Sequence, residues 1–304
     1  MSRVGFLYHE ALLGHEPPVW HPERKERLLG INETLMRSGL WEKLIHINPK
    51  KAGFDDLELV HTRDYIEKIF NFSGDCLDPD TYVSSGTFDA VRYASGAVIE
   101  AVDRCRTGDI SRAFCAVRPP GHHAEAGEAM GFCIFNNIAI GAAHALRTGF
   151  RRVFIVDFDA HHGNGTQHLF EESEAVFFFS SHQYPFYPET GKESEQGIGA
   201  GKGYTYNVQI MRGSGNRDYL YLYQDILPGI IRKFGPDILL VSAGYDIHVR
   251  DPHADIRVTG EGIRGIVRSI LTSYDCPAVF SLEGGYDLAA LQESVAITLQ
   301  EMLA

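Results

Sequence analysis

Short apolar runs alternate along the chain with longer stretches in which apolar residues recur every three or four positions. The runs Val4–Tyr8, Ala113–Val117, Val153–Phe158, Ala175–Ser181, Ile238–Ser242 and Ala278–Leu282 read as strands. Several are apolar on both faces, as strands buried between helix layers are. The stretches Pro22–Ser38, Phe88–Arg106, Phe135–Arg147, Tyr219–Phe234, Gly260–Ser273 and Leu288–Leu303 read as helices. In the second of these, Val91, Ala94, Val98, Ala101, Val102 and Cys105 fall near helical spacing, with Thr87 or Ser85 as a cap and Gly108 as a stop. The alternation predicts an α/β fold with an open, mostly parallel sheet and helices on both faces. No linker, repeat or low-complexity tract breaks the pattern, so residues 1–304 are expected to form a single domain.

Composition narrows the function classes. Hydrophobic residues make up 44% of the chain and charged residues 22%, enough apolar surface to offset chain entropy. A net charge of −12 argues against general nucleic-acid binding and is compatible with cationic substrates. His9, Glu10, His15 and Glu16 interrupt the apolar residues near the N-terminus, and the longest apolar stretches are strand-length. Neither a membrane span nor a signal peptide is expected. The five cysteines form no Cys-x-x-Cys pair and are odd in number, which points to a reducing, cytoplasmic setting.

The Gly- and Pro-rich segments follow strand candidates, where open α/β sheets bind ligands. In Val156–Gly165, extended backbone would put Asp157, Asp159 and His161 on one face. An oxygen and a nitrogen ligand for a divalent metal can then come from Asp159 and His161, or the segment is a polar turn. Arg118–His123 offers adjacent imidazoles, His122 and His123, on a stiff loop; the alternative is a surface loop with incidental histidines. Asp246, in Ser242–Asp246, is a third metal ligand or a turn former. In Leu282–Asp287, two glycines let the backbone present Tyr286 to a cleft, or the segment is an ordinary strand-to-helix loop.

Together these segments resemble the histone deacetylase superfamily, its class II members and bacterial histone-deacetylase-like amidohydrolases above all. The motifs are RPPGHH at 118–123, VDFDAHHGNGTQ at 156–167, SAGYD at 242–246 and LEGGYDL at 282–288. Further matches are HPERKERL at 21–28, DTYVSSGTFDAV at 80–91, MGFC at 130–133 and FNNIAIGA at 135–142, in the family's order. The resemblance implies an arginase/deacetylase-like three-layer fold and zinc-dependent hydrolysis of an N-acetyl amide. By it, Asp159, His161 and Asp246 are the zinc ligands, although an Asp/Asp/His set also suits Fe²⁺ or Co²⁺. His123 is the general base and acid, and His122 is held cationic by Asp157. Tyr286 stabilises the oxyanion. Asn164 is the partner of His123, and being neutral it is expected to leave His123 with a lower pKa than His122.

The resemblance also implies a substrate tunnel. Gly131 and Phe132 form one wall, Tyr187 the other, and Asp80 accepts backbone N–H groups of a peptide-like substrate at the rim. A structural K⁺ site from Asp157, Asp159, His161 and Ser180 is a further family expectation. His253 stands where lysine deacetylases commonly carry leucine or methionine and polyamine deacetylases carry glutamate. The expected substrate is acetyl-lysine in a protein or peptide, with an acetylated small amine such as an acetylpolyamine as the alternative. Dinuclear ureohydrolases share the Asp-x-His motif, but Gly163 stands where their next ligand would be. A non-catalytic acyl-group sensor is disfavoured because no catalytic position is lost.

Overall fold

Eight strands form one sheet, and every strand pair in it is parallel. The computed structural model describes residues 3–304; Met1 and Ser2, within the expected domain bounds, lie outside the described residues. The strands are β1 (Val4–Leu7), β2 (Ile45–Ile47), β3 (Arg112–Cys115), β4 (Val153–Asp157), β5 (Val176–Gln183), β6 (Thr205–Ile210), β7 (Ile238–Ala243) and β8 (Ala278–Leu282). Their order is β2-β1-β3-β8-β7-β4-β5-β6. The central strands β4, β7 and β8 are buried along their whole length, as strands covered on both faces must be.

The helices are α1 (Glu26–Arg37), α2 (Phe54–Leu57), α3 (Arg63–Phe70), α4 (Thr87–Arg106), α5 (Asn137–Thr148), α6 (Asn164–Phe170), α7 (Asn216–Leu220), α8 (Leu227–Phe234), α9 (Gly260–Thr272) and α10 (Leu288–Leu303). A π-helical segment, Tyr221–Ile226, joins α7 to α8. Helices α4 and α5 pack on each other and on the sheet, while α10 packs against both α1 and α9. Caps set the ends of α5: the Asn136 side chain accepts the Ala139 N–H, and Gly149 closes the helix in the left-handed conformation. Helix α1 begins at Glu26 rather than Pro22, because the residues before it are tied into the buried network of Glu23 described below.

Two strands escaped the sequence pattern, and both lie at sheet edges. Strand β2 is three residues long with two exposed, and in β6 only Thr205, Asn207 and Ile210 are buried, so neither forms a solid apolar run. Strand β4 ends at Asp157, one residue early. The extended geometry expected through His161 is replaced by two turns: Asp157 Oδ1 accepts the Asp159 N–H at 3.1 Å, and Asp159 Oδ1 accepts the His161 N–H at 2.9 Å. Aspartate side chains favour such turns.

Candidate active site

Four strands adjacent in the sheet, β3, β8, β7 and β4, release their C-terminal loops toward one place. The loop after β3 carries His122 and His123, that after β4 carries Asp159 and His161, that after β7 Asp246, and that after β8 Tyr286. A cavity of about 130 Å³ forms there, with both histidines of the pair, Asp159, His161 and Tyr286 in its wall.

At its base, ligand atoms of Asp159, His161 and Asp246 lie within 4.8 Å of one another. His161 Nδ1 is 3.0 Å from Asp159 Oδ1 and 3.1 Å from Asp246 Oδ2. The other oxygens are braced: Asp159 Oδ2 accepts the Gly284 N–H at 2.8 Å and Asp246 Oδ1 the Ala160 N–H at 2.9 Å. A Cβ at Gly284 would come within 2.6 Å of Asp159 Oδ2, so only glycine lets this backbone reach both carboxylates. Burial and the charge of Asp159 push the Asp246 pKa up to about 7. Burial disfavours a charged His161, yet its bonds to Asp159 and Asp246 push its pKa up to about 10. Two buried carboxylates so placed call for positive charge between them. The donor set therefore fits one divalent cation.

The histidine pair is asymmetric. His122 Nδ1 lies 2.9 Å from Asp157 Oδ2, and His123 Nδ1 lies 2.7 Å from Asn164 Oδ1, with ring centroids 4.1 Å apart. Burial opposes charge on His122, but Asp157 and Asp159 outweigh it and push the pKa up to about 10. Burial, then the charges of His122 and His161, hold His123 well below its ordinary value.

The walls follow from local geometry. Met130 and Cys133 exchange backbone hydrogen bonds at 3.0 and 2.9 Å around Gly131 and Phe132, which have φ of 55° and 69°. This is a two-residue hairpin turn, with Phe132 in a conformation that non-glycine residues seldom adopt. It sets the Phe132 ring edge-on to Tyr286 at 5.9 Å. Opposite, Tyr187 lies edge-on to His123 at 5.3 Å. His253 packs against Tyr286 at 4.6 Å, and its pKa is lowered, by burial first. Asp80 also lines the cavity, and burial followed by its neighbour Asp78 raises its pKa to about 6. Ser180 pairs with Asp157 in the β4–β5 register, but its hydroxyl engages His182 Nδ1 at 2.9 Å.

Three supporting groups escaped the sequence reading. Buried Glu283 accepts the Gly121 and His122 N–H groups at 2.7 and 3.2 Å and the Ser242 hydroxyl at 3.0 Å, anchoring the histidine loop. Asp251 accepts the backbone N–H groups of both Tyr286 and Asp287. Arg27 donates to the Gly285 carbonyl at 2.8 Å and lies 5.1 Å from the Tyr286 ring centre. Its counter-charge is Glu23, which also takes a two-pronged bond from buried Arg118, both at 2.7 Å. Apart from the Glu23–Arg27 pair, four residues apart, these partners are distant in sequence and follow no local spacing. Only the glutamate within the LEGGYDL motif carried a signal, as a charge directly after an apolar strand.

An all-parallel sheet bearing an Asp/His/Asp cluster and a histidine pair at its C-terminal edge defines an α/β protein with a candidate metal site beside two imidazoles. The histone deacetylase domain matches residues 21–302, and the chain belongs to that family. A probable deacetylase of Archaeoglobus fulgidus is 37% identical over 94% of this chain and 82% of its own length. The human polyamine deacetylase HDAC10 is 34% identical over 99% of this chain, which spans about half (48%) of the human protein. The crystal structure of the HDA15 HD domain superposes with a TM-score of 0.93 at 32% identity, covering 99% of this chain and 91% of that one. No helix among the described residues is long and apolar enough to cross a membrane, and none of the five cysteines is paired.

Proposed function

We propose that this chain is a single catalytic domain that hydrolyses an N-acetyl amide, with ε-N-acetyl-lysine of a protein or peptide as its substrate. One observation carries the reading: Asp159, His161 and Asp246 converge at the base of the narrow cavity that His123 and Tyr286 line. Zinc is the cation proposed for the three ligands, with Fe²⁺ or Co²⁺ also suited to them. Such a cation supplies Lewis acidity toward the amide carbonyl and toward water.

The chain's own groups account for the rest. Neutral His123, with a proton on Nδ1 toward Asn164, offers Nε2 to take a proton from the attacking water. His122, paired with Asp157, stays cationic and places positive charge beside the developing oxyanion. The Tyr286 hydroxyl donates to that oxygen; burial raises its pKa well above 10, so it remains a donor. As the C–N bond breaks, His123 Nε2 returns its proton to the leaving amine, giving acetate and the free amine. Phe132 and Tyr187 flank an acyl-lysine stem, and Asp80 meets backbone N–H groups at the rim. A potassium ion near Asp157 and Ser180 belongs to the same reading.

His253 supports the lysine substrate over a polyamine. It packs on Tyr286, and an imidazole, neutral or cationic, offers no anion to a distant ammonium. The polyamine reading keeps one support, the human relative named for that activity. The test compares kcat/KM for an acetyl-lysine peptide and an acetylated polyamine at matched zinc loading, with Tyr286→Phe as control. A peptide preference abolished in the control is expected; a polyamine preference overturns the substrate assignment.

A further inference from the structure

We propose that Glu125 is a positioning residue for the reaction: it fixes the Asn164 side-chain amide so that its oxygen, and not its nitrogen, faces His123. The inference rests on the role of His123 given above. An amide can turn by 180° and exchange oxygen for nitrogen at nearly equal shape. Asn164 would then donate to His123 Nδ1, forcing that atom to be an acceptor and moving the imidazole proton to Nε2. A neutral His123 in that tautomer cannot take a proton from water at Nε2.

The surroundings of Asn164 Nδ2 decide the orientation. Glu125 Oε1 lies 2.5 Å from it, Met130 Sδ 3.4 Å, and the His123 carbonyl oxygen 3.4 Å. All three are acceptors, so a turned amide would set oxygen against oxygen and sulfur. Glu125 is the short contact and the charged one, so it dominates. The carboxylate is itself placed. His168 Nδ1 lies 2.9 Å from the same Oε1. The Glu125 backbone donates to the Glu128 carbonyl at 2.9 Å and accepts from His61 Nδ1 at 2.9 Å. His122 needs no such device, because both Asp157 side-chain atoms that could face it are oxygens.

The test uses the zinc-loaded enzyme and shape-matched variants. Glu125→Met removes the oxygen acceptor and Glu125→Gln keeps one. Glu125→Met is expected to lower kcat about tenfold or more with KM little changed, as loss of an orienting partner does, and Glu125→Gln to recover most of it. Nitrogen-15 NMR of the His123 ring, assigned against His123→Ala, reads the tautomer without substrate. It should show Nδ1–H in the parent and in Glu125→Gln, and a shift toward Nε2–H in Glu125→Met. In an Asn164→Asp background, where both orientations present oxygen, Glu125→Met should no longer lower kcat. An unchanged His123 tautomer in Glu125→Met, or an equal loss in the Asn164→Asp background, overturns the proposal. Because the NMR readout needs no turnover, a wrong substrate assignment leaves it intact.

Discussion

The carboxylate of Asp251 accepts the backbone N–H of Tyr286 through Oδ2, which also accepts the Asp287 N–H at 2.9 Å. Its other oxygen holds the His253 N–H at 3.0 Å. One side chain thus ties the loop after β7 to the tyrosine proposed to stabilise the oxyanion. Asp251→Ala should lower kcat about tenfold to a hundredfold while KM changes little, because a donor misplaced by about 1 Å is felt mainly in the transition state. Steady-state kinetics decides this, and a rise in KM at constant kcat would assign Asp251 to ground-state binding instead.

The asymmetry of the histidine pair predicts a pH response. His123 must be neutral to act as base, and its lowered pKa keeps it neutral well below its ordinary titration range. The acid limb of kcat/KM should therefore lie below about pH 6.5. Asn164→Asp places a carboxylate at Nδ1, which favours imidazolium and raises the pKa. The acid limb should move to higher pH by about one unit or more. A profile that does not move would remove Asn164 from control of the base.

Stability should also respond to acid through His61. Its Nδ1 donates to the Glu125 carbonyl at 2.9 Å and its Nε2 accepts the Asn136 N–H at 2.9 Å, so the folded protein needs it neutral. Burial lowers its pKa from 6.5 to about 4. The folded-state value lies below the unfolded one, so the contribution is full above about pH 6.5 and is lost progressively as the pH falls to about 4. Over that window the loss is about 3 kcal/mol. Denaturant unfolding at pH 7.5 and pH 5 should show a larger drop for the parent than for His61→Gln. Equal drops would mean that His61 titrates normally in the fold.

How far the sequence carries follows from which interactions are local. Asp159, His161, Asp246 and Tyr286 were legible because each closely follows a buried strand, where a polar residue stands out. Their convergence needed the order of strands β3, β8, β7 and β4, which no local pattern reveals. In the segment after β4 the local geometry differs from the pattern: Asp159 and His161 come together through aspartate turns, not extended alternation. Edge strands β2 and β6 were hidden by partial exposure. Glu125, Asp251 and Glu283 work by accepting N–H groups from distant segments, and a carboxylate with that task resembles any other acidic residue in a loop.

The most direct test of metal-assisted amide hydrolysis at this site is acetate release from an acetyl-lysine peptide by chelator-stripped protein, titrated with zinc beside Asp246→Asn. The account predicts negligible turnover without metal, recovery that saturates at one zinc per chain, and little recovery in the variant. Full turnover in stripped protein, saturation only at two metals, or undiminished recovery in Asp246→Asn would contradict it.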